Sequence, residues 1–543
     1  MSRKFAGIGV CPGVAFAPVY KIEIKESATD LDVTWQEISA ALEKSAQYLE
    51  EKAQKIDLQV AKEVLEAQSL MARDPDLIEK IKNTMGDSKK SARNVLNSTL
   101  EEFKNNLLSL GDYFAERVAD IDEIKKLTLN NIFGIEQIDL KINSNSIVVA
   151  NDLSPADTAS MNLNYVKGLV VAKGGPTSHT AIVARNLGIP AIVGCKDIED
   201  LKNGVQVLIN GRNGVVIENP DKNLVTQELN KENEFKAKFK SVSGPGKLKD
   251  NTAINLLANC GNIEDAKKAI INEAEGIGLF RTELLYLNQA HAPNISEQVK
   301  VYSEIFEIFQ GKKVIIRTLD AGSDKPVPFL NSDKEENPAL GVRGWRLIRE
   351  FSSVIKDQIK AISIAQESGK CDVWVMAPMI DTADEALEFS NLAKENGIKK
   401  IGVMIETPAA AMVSDQIFEI VDFASFGTND LTQYVMAADR LDSRLSDLTN
   451  SWHPAVLRTI EIVGKNAQGK PLGVCGEAAA DPLLAAVLIG LGVNSLSMAS
   501  NSIAEVKSFI ANQDLGKCQN VAKEILKTKN AIEAKELAVK LFN

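Results

Sequence analysis

Eight short apolar runs recur along the second half of the chain, at residues 254–258, 276–280, 314–316, 373–376, 401–405, 423–426, 471–474 and 495–498. Most of the intervals carry helical periodicity and are long enough for a parallel crossover, which takes a dozen or more residues. Eight strands alternating with helices over roughly 290 residues predict a (β/α)8 TIM barrel, a fold that typically needs about 250. We place it at residues 250–543.

The first part of the chain has another texture. Residues 1–20 alternate apolar and small residues around Gly7, Gly9, Pro12 and Gly13, as in a short strand with turns. Between residues 31 and 140 only Pro75, Gly86, Gly111 and Gly134 interrupt. Trp35, Ile38, Leu42, Ala46, Leu49, Ala53 and Ile56 recur there at helical spacing, and Asp74-Pro75 is a helix start with proline at its first position. This predicts an all-helical insert at 26–140. Strand-like runs follow at 146–150, 168–172, 191–193 and 205–209, with a helical pattern at 180–186 closed by Gly188 and Pro190. Residues 1–25 and 141–221 therefore make a small α/β domain. A charged helix at 222–240 runs into Ser243-Gly244-Pro245-Gly246, which marks 222–249 as a linker.

Composition sets limits on function. The net charge of −11 disfavours nucleic acid as a partner. No uncharged apolar stretch is long enough for a membrane span, and the N-terminus lacks a signal-peptide core. Six scattered cysteines without metal spacing fit a reducing cytoplasm.

In a barrel of this kind active sites gather at the carboxyl ends of the strands. Arg281, Arg317, Glu406, Asn429-Asp430 and Cys475 stand just after runs two, three, five, six and seven, and Arg440 follows run six. Each has a plain structural reading when taken singly, as a surface ion pair or a small buried hydrophobe. Their shared pole favours a site. Guanidinium forks suit phosphate and carboxylate oxygens, so several together imply a small phosphorylated acid. Glu406 and Asp430 could share a divalent ion, Mg2+ by preference, because the ligands are hard oxygens and neither motif holds a histidine. The Cys475 thiol could give or take a proton.

A second constellation is Lys173-Gly174-Gly175-Pro176-Thr177-Ser178-His179-Thr180. His179 follows a glycine pair and opens a predicted helix, whose free N–H groups suit an anion bound at or attached to the ring. A neutral imidazole is a competent nucleophile towards phosphorus. Thr177 and Ser178 either fix the ring or cap the helix. His291 and His453 lack such a setting and read as structural. A histidine in one domain, a pocket in another and a linker between them imply that the histidine domain moves in and out of the pocket.

These segments resemble enzyme I of the bacterial sugar phosphotransferase system, the phosphoenolpyruvate–protein phosphotransferases. The resemblance rests on Gly174 to His179, Gly276-Ile277-Gly278-Leu279-Phe280-Arg281-Thr282-Glu283, Arg317-Thr318-Leu319-Asp320 with Asp324-Lys325, and Gly402-Val403-Met404-Ile405-Glu406. It extends to Phe426-Gly427-Thr428-Asn429-Asp430-Leu431-Thr432-Gln433-Tyr434 with Asp439-Arg440, and to Gly473-Val474-Cys475-Gly476-Glu477. It implies a swivelling phosphohistidine domain carrying the helical insert, followed by the barrel. In the implied reaction His179 takes the phosphoryl group of phosphoenolpyruvate at Nε2. Arg281, Arg317, Asn429, Asp430 and Arg440 hold the substrate, and Glu406 with Asp430 binds Mg2+. Cys475 protonates C3 of the leaving enolpyruvate to give pyruvate. The group then passes to a histidine of the carrier HPr, docked on the insert, and the family dimerises through the barrel. Arg343 matches another family arginine, and Pro176 stands where many members carry arginine.

Two other readings compete. Phosphoenolpyruvate synthase or pyruvate phosphate dikinase shares the histidine domain and barrel but needs a nucleotide-grasp domain, for which residues 31–140 are too few and too helical. A regulatory phosphorelay protein would not need the intact set of Arg281, Arg317, Glu406, Asp430 and Cys475.

Overall fold

All eight apolar runs of the second half are strands in the computed structural model. It describes every residue except 1–2, 23–29, 56–58, 87, 110–117, 136–141, 154–156, 158–160, 176–179, 182, 185–187, 241–243, 287–290, 323–326, 328, 331–334, 441–444, 446–447 and 543. The strands are Asn255–Cys260, Gly276–Phe280, Lys313–Arg317, Asp372–Ala377, Ile401–Ile405, Phe423–Phe426, Leu472–Cys475 and Ser495–Met498. Each is parallel to the next, and the eighth pairs with the first to close the barrel. All carboxyl ends therefore lie at one pole. Strands buried on both faces read as continuous apolar runs, and so their limits are visible in the sequence to within two residues.

The inner face of the barrel holds Leu257, Leu279, Ile315, Trp374, Met376, Met404, Phe423 and Cys475. Outward residues such as Ile277, Val314, Val403 and Leu496 join the core under the helices. Those helices begin at side-chain caps, including Asn262, Thr382, Thr407 and Asp481, and at a full capping box of Asn294 with Glu297.

The chain divides into two compact units, Met1–Glu234 and Phe235–Asn543, with the boundary inside the helix Lys222–Lys240. The first unit contains an eight-stranded sheet in the order Lys4–Ala6, Val215–Glu218, Gln206–Asn210, Val14–Lys21, Ser146–Ala150, Val166–Val171, Ala191–Val193, Ile8–Cys11. Val14–Lys21 to Ala191–Val193 run parallel, and the flanking strands are antiparallel. The sheet is larger than the sequence reading. The first twenty residues make three strands, and a turn through Arg212 and Asn213, whose N–H groups both donate to Asn210 Oδ1, returns the extra strand Val215–Glu218.

The insert contains helices Trp35–Lys55, Gln59–Ala72, Pro75–Met85, Ala92–Ser109 and Val118–Phe133. Ile38, Leu42, Ala46, Leu49 and Ala53 are buried at the predicted spacing, and Asp74 caps the Pro75 helix. It is not purely helical, because Asp32–Val33 pairs with Lys90–Ser91 in a short ribbon. Among the described residues no helix is long and apolar enough to cross a membrane.

Candidate active site

Six charged side chains alternate in sign across the carboxyl pole of the barrel. Arg317, the last residue of the third strand, donates from Nη2 to Glu283 at 2.9 Å, and its Nη1 lies 3.1 Å from Asp320. Asp320 accepts from Nη2 of Arg343 on both oxygens, at 3.1 and 3.2 Å. Nη1 of Arg343 donates to Asp430 at 3.1 Å, and Nη1 of Arg440 to the other Asp430 oxygen at 3.3 Å. Arg343 and Asp320 have no exposed side-chain surface. Burial disfavours the Arg317 charge, but Glu283, Asp320 and Glu406 outweigh it and hold its pKa above the ordinary value. An ion buried without its partner costs several kcal/mol, so this series is rigid as a set.

Local structure delivers each member. Glu283 opens a short turn after the second strand, and the hydroxyl of buried Thr282 donates to the Arg317 carbonyl at 3.0 Å. The backbone N–H of Asp320 donates to Glu283, and that of Leu319 to Gln358. Arg343 arrives from a distant loop through a bridge with Gly322. Asn429 and Asp430 lie in the first turn of the helix Thr428–Met436 rather than at the strand tip. That turn buries Asp430 and leaves Asn429 exposed.

Glu406 stands one residue beyond the fifth strand and is fully buried. Its Oε1 accepts the Met379 N–H at 2.7 Å, and its Oε2 has no hydrogen-bond partner. Met379, the donor, has a left-handed backbone (φ 54°), which is rare for a side chain of this size. Gly427 leaves room for the carboxylate, because a Cβ there would lie 2.2 Å from Oε2. Burial, then Asp430 and Asp320, push the Glu406 pKa well above the usual carboxylate range, against Arg317 and Arg343.

A carboxylate with an orphaned oxygen and an acidic neighbour fits a hard divalent cation. Among the described residues no group of three His, Cys, Asp or Glu side chains is set to hold a metal. A Glu406–Asp430 pair would leave the other positions to water and substrate oxygens, the arrangement Mg2+ favours. Arg317 Nε, Thr318 Oγ1 and Thr428 Oγ1 are likewise buried and unbonded. Buried polar atoms are normally paired, so this concentration at one pole marks space for a polar ligand.

Cys475 ends the seventh strand among the inner-face residues. Its thiol donates to the Phe426 carbonyl at 3.4 Å and accepts from the Ser425 hydroxyl at 3.4 Å. Burial pushes the thiol pKa up to about 11, opposed by the Ser425 bond and by Arg317 and Arg281. At neutral pH the thiol is protonated and can act as an acid. Arg281 is exposed beside this pole, with its N–H on the Cys260 carbonyl at 2.8 Å.

The structure thus brings Arg317, Glu406, Asp430, Arg440 and Cys475 together, with Arg281 in electrostatic reach and Asn429 on the rim. Sequence reasoning gave no role to Glu283, Asp320 or Met379; the first two carried a signal, as acids just beyond strand ends two and three. His179, Pro176, Thr177 and Ser178 lie outside the described residues. Their frame is described: the strand Val166–Val171 leads into Lys173–Gly175, and Thr180, Ala181, Val183 and Ala184 are helical and buried. His453 caps the helix Pro454–Asn466, taking the Ala455 N–H on Nδ1, as its structural reading expects.

Three family models match the chain: "PEP-utilising enzyme, PEP-binding domain" over residues 233–515, "PEP-utilising enzyme, mobile domain" over 142–214 and "PEP-utilising enzyme, N-terminal" over 6–117. The phosphoenolpyruvate-protein phosphotransferase of Streptomyces coelicolor is 38% identical over 485 residues, covering 88% of this chain and 87% of that protein. Those of Priestia megaterium and Bacillus subtilis are 37% and 35% identical, covering 94% and 96% of this chain and 94% and 97% of theirs.

Proposed function

The chain belongs to the phosphoenolpyruvate-protein phosphotransferase family, and from that premise we propose how its residues divide the work. It is an enzyme that transfers the phosphoryl group of phosphoenolpyruvate to protein, as enzyme I of the sugar phosphotransferase system. The observation that carries the residue assignment is the ion-pair series at the barrel pole, with the half-satisfied Glu406 and the buried Cys475 thiol in electrostatic reach of its Arg317.

Arg281, Arg317 and Arg440 hold the phosphate and carboxylate of the substrate, with the Asn429 amide at the rim; Glu283, Asp320 and Arg343 fix Arg317 and Asp430 in place. Glu406 and Asp430 would hold Mg2+, which when bound would neutralise charge on the transferring group. The neutral His179 imidazole attacks phosphorus, so that an N–P bond forms, the bridging P–O bond breaks and the enolate of pyruvate leaves. The Cys475 S–H then breaks as a C–H bond forms at C3, giving pyruvate. Phospho-His179 passes the group to a histidine of HPr, docked on the insert at 26–140. The histidine domain, residues 1–25 and 141–221, travels between pocket and carrier, with 222–249 as linker and 250–543 as the substrate-binding and dimerisation domain. The protein works in the cytoplasm.

The test is incubation of the enzyme with labelled phosphoenolpyruvate and Mg2+, with and without HPr. Acid-labile, base-stable label should map to the His179 peptide and move to HPr when it is present. His179→Ala should abolish labelling while the barrel still binds phosphoenolpyruvate; a labelled His179→Ala protein would overturn the assignment.

A further inference from the structure

Barrel interiors are usually filled by bulky branched side chains. On the strands around Cys475 small residues stand among the bulky ones: Gly278, Ser425, Gly473, Ser495 and Ser497 line a small cavity together with Ile315, Trp374 and Phe423. A Cβ at Gly278 would lie 2.4 Å from Ser497 Oγ, and one at Gly473 would lie 3.2 Å from Ser425 Oγ, so both glycines make room for hydroxyls. The Ser497 hydroxyl is committed to Asn259 at 2.6 Å. That of Ser425, 4% exposed, donates to Cys475 Sγ.

As a device for filling space this is poor chemistry. A buried hydroxyl costs free energy unless it is well bonded, and a thiol sulfur is a weak acceptor. The bond becomes strong only when the sulfur is charged, since hydrogen bonds to ions are roughly twice as strong as neutral ones. An interaction that is weak before proton transfer and strong during it lowers the barrier rather than merely holding the ground state. We propose that Ser425 is a positioning residue for the acid step: its hydroxyl orients the Cys475 thiol and stabilises the thiolate left when the proton passes to C3 of enolpyruvate.

The S–H electron pair stays on sulfur, the enolate π electrons form the C3–H bond, and a water proton later restores the thiol. The other charged groups facing the thiol are Arg317 and Arg281, which favour the thiolate, and Glu406, which opposes it. The inference rests on Cys475 being the acid, and the experiment separates the two.

In the full-length enzyme Ser425→Ala should lower kcat for pyruvate formation roughly tenfold with KM for phosphoenolpyruvate little changed. Peptide-mapped alkylation of Cys475 by iodoacetamide should move to higher pH by about one unit. Ser425→Thr, which keeps the hydroxyl, should restore both readouts, and Ser425→Cys should fall between. Cys475→Ala run in parallel tests the acid itself, since parental pyruvate formation there would remove the acid role. If Cys475→Ala collapses turnover while Ser425→Ala keeps parental kcat and alkylation profile, only the Ser425 inference is overturned. Should Ser425→Ala fail to fold, Ser425→Cys decides alone: intermediate values support the inference and parental values defeat it.

Discussion

In the helical insert Arg73 forks onto two glutamates, with Nη2 2.9 Å from Glu43 and 3.2 Å from Glu50. At the barrel pole Arg343 forks onto two aspartates, Asp320 and Asp430, each at 3.1 Å. The groups and distances match, but the surroundings do not. Arg73 is 32% exposed and its glutamates about half, whereas Arg343 and Asp320 have no exposed side-chain surface. Water and salt screen the first web, so its contribution is small. The second has replaced hydration with fixed partners and is intolerant of losing any of them. A charge pattern alone therefore does not mark a site; a charge pattern that the fold has paid to bury does.

The sharpest way to break this comparison is to remove each arginine. Arg343→Ala takes one of two arginine partners from each of two buried carboxylates, leaving Asp320 with Arg317 and Asp430 with Arg440, and should lower unfolding stability by about 3 kcal/mol, measured by urea denaturation of the whole enzyme. An Arg343→Ala protein as stable as the parent would mean that water already reaches the pole, and the contrast with Arg73 would vanish.

The acids of the two regions sharpen it through pH. The hydrogen bond from Arg73 lowers the Glu43 pKa, so that carboxylate stabilises the fold above its ordinary value and the contribution is lost as pH falls. Glu406 has the opposite sign. Burial raises its pKa, so its stability contribution is intact below about 4.5 and is lost as pH rises through the elevated native value. Glu406→Gln should therefore stabilise the metal-free enzyme by about 1–3 kcal/mol at neutral pH and by little near pH 4. In calorimetry Mg2+ should raise the Tm of the parent, chelation should reverse that, and the variant should not respond. Equal destabilisation of Glu406→Gln at both pH values would refute the sign.

The same contrast explains what the sequence could disclose. The barrel was legible because doubly buried strands leave unbroken apolar runs, and Arg317, Glu406 and Cys475 were legible because chain order puts them just beyond strand ends. Asp430 was legible as an acid just beyond run six, whereas its burial in the first turn of the helix Thr428–Met436 is set by the tertiary structure. Arg343 takes its place through a bridge to Gly322 that only the tertiary structure creates. Met379 was invisible for a deeper reason: its part is played by a backbone N–H in a conformation that methionine does not favour. Val215–Glu218 was overlooked although it follows Asn213-Gly214, a pair that suits a tight turn between antiparallel strands.

The smallest expected effect belongs to the exposed web. Arg73→Ala should cost at most about 1 kcal/mol, because the freed glutamates regain hydration that the buried aspartates cannot reach. Raising the salt concentration should shrink even that difference, whereas the Arg343→Ala penalty should persist, since buried pairs are screened far less. Phosphorylation by phosphoenolpyruvate should stay at the parental rate in Arg73→Ala, which leaves the barrel untouched. A salt-independent loss of several kcal/mol at Arg73 would show that the insert uses its surface ion pairs as the barrel uses its buried ones, and exposure would then cease to separate a structural web from a site.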